Sequence, residues 1–238
     1  MAFDKNSNGF TFGFAIAMVV VVGAILSLAA MGLKPFQKAN MEQEKKQNIL
    51  AAISVNCERS GTPELFDKYV KEQIVLNMNG EQIEGDAFAI DIKKQYREVK
   101  AKAREESEVR YPLYVCQKGD STLYVIPVVG TGLWGPIWGF VALQEDLNTI
   151  YGATFDHKTE TPGLGAEINT DVFEKPFRGD MVYEAGAVKL EVMKGGGGND
   201  NPYGVDGITG GTITSKGVEE MLQRTLAVYQ NYFATLNS

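Results

Sequence analysis

Residues 112–143 read PLYVCQKGDSTLYVIPVVGTGLWGPIWGFVAL. Three short runs in this stretch, Pro112–Cys116, Thr122–Pro127 and Ile137–Leu143, are rich in β-branched and aromatic residues and are separated by Gly, Asp and Pro. Such side chains suit a pleated, packed surface and the punctuation between them closes turns, so a core sheet is expected to begin here. Gly130, Gly132, Gly135 and Gly139 surround Trp134 and Trp138. Glycines so placed permit tight turns and let a second backbone come close.

Toward the C-terminus, Asn148–Phe155 and Glu167–Phe177 can hold helical segments, Val188–Met193 reads as a strand and Gly195–Gly198 as a loop. The last segment repeats Val218, Met221, Leu222, Leu226, Tyr229, Tyr232 and Phe233 at i, i+3, i+4 spacing, which predicts an amphipathic helix. Glu219 and Glu220 in its first turn suit the positive end of the helix dipole. Strands and helices in mixed order predict an α+β domain, with a mixed or antiparallel sheet flanked by helices.

Toward the N-terminus the character changes at Arg110. Lys93–Arg110 interleaves cations with Glu98, Glu105, Glu106 and Glu108 and reads as a solvated face. Glu64–Val75 reads as a short helix after the turn Ser60–Pro63, and Gln37–Ile53 as a stalk whose apolar residues grow denser toward Ile49, Leu50 and Ile53. Lys34-Pro35 is expected to close the segment before it. That segment, Phe12–Leu33, carries no charge, and as a helix it would span roughly 33 Å, enough for a bilayer core of about 30 Å. A cleaved signal peptide ending near Ser27-Leu28-Ala29 is the competing reading, but the apolar run exceeds the usual h-region and only Lys5 precedes it as a basic residue. An uncleaved anchor is therefore expected. Lys34, Lys38, Lys45 and Lys46 follow the span; by charge count they favour a cytoplasmic C-terminal part, yet that rule does not govern long translocated domains. The expected organisation is a tail at 1–11, an anchor in the lipid bilayer at 12–33, a juxtamembrane stalk and helical connecting subdomain at 34–110, and the α+β domain at 111–238.

The chain has 238 residues and a formal net charge of -7, which excludes a nucleic-acid partner bound through phosphate neutralisation. Cys57, Cys116 and the single histidine, His157, are too few and too scattered for a metal centre. The cysteines read equally as two buried thiols or as one disulfide.

Three glycine-bearing loops could carry chemistry: Glu160–Gly165 (ETPGLG), Lys194–Gly198 (KGGGG) and Asp206–Thr212 (DGITGGT). The last sets a hydroxyl in a glycine-cleared loop directly before a helix, where backbone N–H groups and the dipole favour a phosphate. It does not match a P-loop, because Ser215-Lys216 reverses the required Lys-Ser/Thr order, and no G-x-G-x-x-G leads from a strand into a helix. With His157 the sole imidazole, a nucleophilic triad finds no good partners and no catalytic residue is assigned. From the residues alone, DGITGGT reads as a phosphate cradle or as an ordinary capped turn.

Asp206-x-x-Thr209-Gly-Gly-Thr212 resembles the D-x-x-[ST]-G-A-T signature of FMN-binding domains that carry flavin through a phosphoester to the last threonine; Gly211 stands where alanine is usual. Phe12–Leu33 with Lys34-Pro35, Gly132–Phe140, Phe155–Glu167 and Val205–Thr209 resemble the C subunit of the sodium-translocating NADH:quinone reductase. The resemblance implies a covalent FMN on Thr212, with Thr214 the next hydroxyl if the register is shifted. It implies that Thr209 and the N–H groups of Gly210 and Gly211 hold the phosphate with Lys194 as countercharge, and that Glu160, Thr161, Gly163, Leu164 and Gly165 line the isoalloxazine. Asp206 would position the loop for a flavin transferase and its metal, or simply make an Asx-type turn. The family further implies a single-pass protein of the bacterial inner membrane with a periplasmic domain and partner subunits A, B, D, E and F. Electrons would arrive from a membrane iron–sulfur centre and leave to the flavin of the B subunit, in a complex that oxidises NADH, reduces ubiquinone and exports Na⁺. Two alternatives remain: the G-type subunit of an Rnf ferredoxin-oxidising complex, whose chain is typically shorter, and a membrane-anchored assembly subunit that is never flavinylated.

Overall fold

A computed structural model describes residues 7–236, so residues 1–6 of the expected tail lie outside the described residues. The chain divides into two compact units, one ending at Lys45 and one beginning at Lys46. The first is part of a long helix, α1 (Asn8–Ala52), which is long and apolar enough to cross a membrane. Lys34-Pro35 does not end it, contrary to expectation. Proline removes one backbone donor and crowds the preceding turn, but here good helix formers on both sides carry the helix through.

The second unit contains helices α2 (Thr62–Tyr69), α3 (Ile92–Lys100), α4 (Asp171–Glu174) and α5 (Thr212–Leu236). Its central sheet uses β1 (Val70–Leu76), β2 (Gln82–Ile83), β3 (Tyr111–Lys118), β4 (Ser121–Thr131), β5 (Pro136–Leu143) and β6 (Ile150–His157), in the antiparallel order β2-β1-β3-β4-β5-β6. The remaining strands are short. β7 (Tyr183–Glu184) and β8 (Ala187–Val188) form a hairpin, and β9 (Glu191–Met193) runs parallel to β10 (Gly204–Asp206).

Pleating sends alternate residues of the middle strands to opposite faces. Leu113, Ile126, Val128, Val141 and Leu143 join a cluster completed by Val218, Met221, Leu222, Leu226, Tyr229 and Phe233 of α5. Tyr114, Cys116, Leu123, Val125, Phe140 and Ala142 join a second cluster with Ile49, Leu50, Ile53 and Phe66. Both faces are covered, which is why these strands read as continuous apolar runs. Buried phenols find acceptors: Tyr229 donates to the Pro112 carbonyl at 2.7 Å and Tyr114 to that of Ala87 at 3.0 Å. Cys57 and Cys116 are free thiols, and burial pushes the Cys116 thiol up to about 12.

Several local expectations are corrected. Asn148–Phe155 is not helical: β6 occupies Ile150–His157, and its buried Ile150, Ala153 and Phe155 join the core beside β5. The helix expected over Glu64–Val75 stops at Tyr69, and Val70–Leu76 enters the sheet as β1 against β3. β-Branched residues and a place beside β3 override helical periodicity there. Glu167–Phe177 does hold helical segments, as expected: a 3₁₀ turn (Gly165–Asn169), the single-turn α4 and a second 3₁₀ turn holding Pro176. Val188–Met193 is divided between β8 and β9.

The outer edge of β6 is covered rather than left to pair with another chain. Phe155 N–H donates to Glu174 Oε1 at 2.6 Å, and Ile150 exchanges backbone hydrogen bonds with Gly179 and Asp180. This places two carboxyls in poor solvent contact. Burial is the leading cause that raises Glu174 to about 7 and Asp180 to about 7, and Asp180 Oδ2 has no hydrogen-bond partner among the described residues. Because both folded values lie above the unfolded ones of about 4, the native state holds these protons more tightly. Their contribution is favourable at low pH and is lost as pH rises toward and through 7. A Glu174→Gln/Asp180→Asn double variant should gain stability relative to the parent between pH 5 and pH 8. Parallel thermal melts across that range test it, and a constant difference between the two chains would contradict it.

Candidate functional site

Strands β9 and β10 deliver the third glycine loop to the start of α5. Asp206, the last residue of β10, pairs with Met193, accepts Gly198 N–H on Oδ1 at 2.7 Å and donates its own N–H to Asn199 Oδ1 at 3.0 Å. Its carboxylate thus ties the KGGGG loop to the DGITGGT loop. Gly207 N–H donates to the Met193 carbonyl at 2.7 Å, Ile208 N–H to Ser215 Oγ at 3.0 Å and Gly211 N–H to the Ile208 carbonyl at 2.9 Å. Gly210 adopts φ +78°, a region that strains any side chain. The chain then enters α5, whose first hydrogen bond runs from Ser215 N–H to the Gly211 carbonyl.

A cleft of about 140 Å³ opens at this helix start, lined by Lys194, Gly195, Gly207, Thr209, Gly210, Thr212 and Lys216 among others. The N–H groups of Thr212, Ile213 and Thr214 find no backbone acceptor among the described residues, as expected for the first turn of a helix. Gly211 N–H, expected to serve a phosphate, is instead engaged in the turn, so the first turn of α5 supplies the open donors. Lys194 has no ion-pair partner among the described residues, whereas Lys216 is paired with Glu219 at 2.8 Å. Lys216 was not anticipated; its signal was its place in the first turn of the helix that follows the loop. An alanine at Gly211 would set its Cβ 2.9 Å from Ile208 Cγ2 and 3.1 Å from Ile208 Cβ. The glycine therefore goes with the close packing of Ile208.

The ETPGLG loop borders this cleft. Leu164 is 41% exposed, and a Cβ on Gly210 would come within 2.7 Å of its Cδ2. Thr161 and Gly163 are exposed; the Thr161 carbonyl accepts the N–H groups of Leu164 and Ala166, each at 3.1 Å, while Gly163 N–H reaches Glu167 Oε1 at 2.9 Å. Glu160 differs from its neighbours. It is only 5% exposed, and its carboxylate accepts Thr214 Oγ1–H at 2.6 Å and Trp134 N–H at 2.8 Å. Its N–H donates to His157 Nδ1 at 3.2 Å, which gives the lone histidine a structural place. Sequence reasoning put Glu160 with the residues that line a ring; the structure turns its side chain inward.

The structure therefore gathers Lys194, Thr209, Gly210 and Thr212 around one cleft, sets Leu164 at its border, and holds Thr214, buried to 1%, in a hydrogen bond with Glu160. Open helix N–H groups, a free lysine and cleared backbone fit a phosphate monoester. The volume is below the roughly 300–1,000 Å³ of pockets that enclose drug-sized ligands. A tricyclic ring would have to remain at the surface.

A helix long and apolar enough to cross a membrane is followed by an antiparallel sheet and a glycine loop at a helix start, and residues 132–227 match the family model of the FMN-binding domain, which sets the class: flavin-domain proteins. The C subunit of the Na⁺-translocating NADH-quinone reductase of Vibrio anguillarum is 33% identical over 231 residues, covering 92% of this chain and 90% of that protein. The Haemophilus ducreyi C subunit is 34% identical over 230 residues, covering 91% and 89%. A crystal structure of the Parabacteroides distasonis C subunit superposes with a TM-score of 0.74 at 44% identity, covering 84% of this chain and 96% of that one. The chain belongs to the C-subunit family of Na⁺-translocating NADH-quinone reductases and is a component of an oxidoreductase complex with an FMN-binding domain.

Proposed function

We propose that this protein carries FMN through a phosphoester to Thr212 and serves as an electron relay within its complex. The observation that supports this most directly is the cleft at the start of α5, in which Thr212 lies among open N–H groups, glycine backbone and Lys194. Thr212 Oγ forms the new P–O bond while the phosphoanhydride of a flavin dinucleotide breaks; the nucleoside monophosphate leaves, and the hydroxyl proton passes to the flavin transferase or to water. Lys194 and the helix N-terminus then offset the phosphate charge, Thr209 and Gly210 shape the loop, and Asp206 holds it in register through Gly198. Leu164 offers an apolar contact at the cleft border, with Thr161, Gly163 and Gly165 shaping that loop. The cofactor supplies one-electron redox chemistry, while the protein places and tunes it. A covalent link prevents its loss, and a shallow cleft leaves the ring open to partners.

In this reading electrons come from an iron–sulfur centre in the membrane subunits and go on to the flavin of the B subunit, with subunits A, D, E and F completing a complex that passes electrons from NADH to ubiquinone and exports Na⁺. Residues 12–33 cross the bacterial inner membrane once, and the domain lies in the periplasm. Chain co-expressed with a flavin transferase should give a fluorescent band on a denaturing gel under ultraviolet light, and a dark band would overturn the attachment. Reporter fusions after Ser238 should be active in the periplasm; activity confined to the cytoplasm would reverse the orientation.

A further inference from the structure

Four hydroxyls, on Thr209, Thr212, Thr214 and Ser215, crowd the seven residues around the start of α5, and the two that share the first turn of the helix with Thr212 are both engaged within the fold. Ser215 Oγ is occupied by Ile208 N–H at 3.0 Å. Thr214 Oγ1 is occupied by Glu160 Oε2 at 2.6 Å, a short, charge-assisted hydrogen bond between two groups that are 1% and 5% exposed. The second carboxylate oxygen is fixed by Trp134 N–H at 2.8 Å, and the Glu160 backbone by His157. Room is kept on both sides: a Cβ on Gly165 would stand 2.5 Å from Oε2, and one on Gly132 2.7 Å from Oε1.

We propose that Glu160 is the positioning residue that selects Thr212, by pinning Thr214 inward and thereby turning Thr212 outward to the cleft. This rests on the reading of Thr212 as the flavin site. Residues two apart on an α-helix point roughly 200° away from each other, so a first turn with Thr214 held toward Glu160 presents Thr212 on the other side. A helix start is prone to fray and lacks four of its own hydrogen bonds; the buried hydrogen bond that Thr214, the second residue after Thr212, donates to Glu160 fixes its rotation. An apolar side chain would fill the space equally well, but a carboxylate is costly to bury unless donors converge on it, and here the converging donors come from α5 and from the Trp134 turn.

The test uses the full-length chain co-expressed with a flavin transferase, with thermal melting to confirm folding, the rate of flavin incorporation, and fragmentation mass spectrometry to locate the flavin. Thr214→Val, which keeps the volume and removes the donor, should slow incorporation at Thr212 by about tenfold or more, as expected when a reacting group loses its alignment. Glu160→Gln, which keeps the size and one acceptor, should fall between the parent and Glu160→Ala. Glu160→Ala should in addition place a fraction of the flavin on Thr214, and that fraction should vanish in Glu160→Ala/Thr214→Val. A packing role alone would not move the modification site. Parental rates in a folded Thr214→Val, or in folded Glu160→Gln and Glu160→Ala with all flavin still on Thr212, would overturn the proposal while leaving the Thr212 assignment intact. An unmodified parent chain would instead remove the reading on which the proposal rests.

Discussion

Thr212→Ala should remove covalent flavin completely and leave the fold almost unchanged. The side chain is half-buried at the first residue of α5, lines the cleft and has no side-chain hydrogen bond among the described residues. Its loss therefore removes an acceptor of flavin but no structural contact of consequence. Alanine is a better helix former than threonine by roughly half a kcal/mol, so the melting temperature should hold or rise slightly. The denaturing gel should show no fluorescence, and the chain should still elute as a folded species. Fluorescence equal to that of the parent would move the attachment elsewhere. Thr214 is a poor substitute, because it is buried and bonded to Glu160.

The second large effect is expected at Gly217, one turn further along α5. A Cβ there would stand 2.3 Å from the Thr131 carbonyl oxygen, and a Cβ on Gly130 of β4 would stand 2.6 Å from Met221 Cβ. Helix and strand meet at backbone distance, so neither contact has a flexible side chain that could give way. Gly217→Val should lift the start of α5 from β4 and loosen Val218, Met221 and Leu222 in the core beneath it. Overpacking of this kind costs about 1–3 kcal/mol and at times more. For a domain of this size, that corresponds to a melting temperature lower by roughly 2–12 °C. Because the same displacement moves Thr212, flavin incorporation should fall as well. An unchanged melting temperature would mean that the helix tolerates a side chain at this point.

The middle of the fold was legible because both of its faces are covered. Residues 112–143 show continuous β-branched and aromatic runs, and β3, β4 and β5 lie where those runs lie. The long C-terminal helix was legible for the opposite reason, since only one of its stripes is buried and the spacing of Val218 to Phe233 records it. Errors fell on segments whose state is set by a distant neighbour. Val70–Leu76 becomes a strand because β3 offers an edge, and Ile150–His157 because β5 does. Helical periodicity over so few residues is too weak to resist such pairing. Pro35 misled for a local reason, as it stops a helix only when its flanks do not sustain one.

The site was legible as a set of loops but not as an arrangement. Glycine spacing marked the ETPGLG, KGGGG and DGITGGT segments, and the structure brings the last two together around one cleft with the first at its border. No pattern in the chain could show that Glu160 faces Thr214, since the two stand 54 positions apart and the residues between them carry no trace of that contact. Nor could spacing reveal that Gly211 uses its N–H within the turn.

The most direct measurement is fragmentation mass spectrometry of the tryptic peptide spanning residues 195–216, taken from chain co-expressed with a flavin transferase. It should carry the mass of FMN less one water, with fragment ions that place the addition on Thr212. An unmodified peptide, or an addition on Thr209 or Thr214 in the parent chain, would contradict the account.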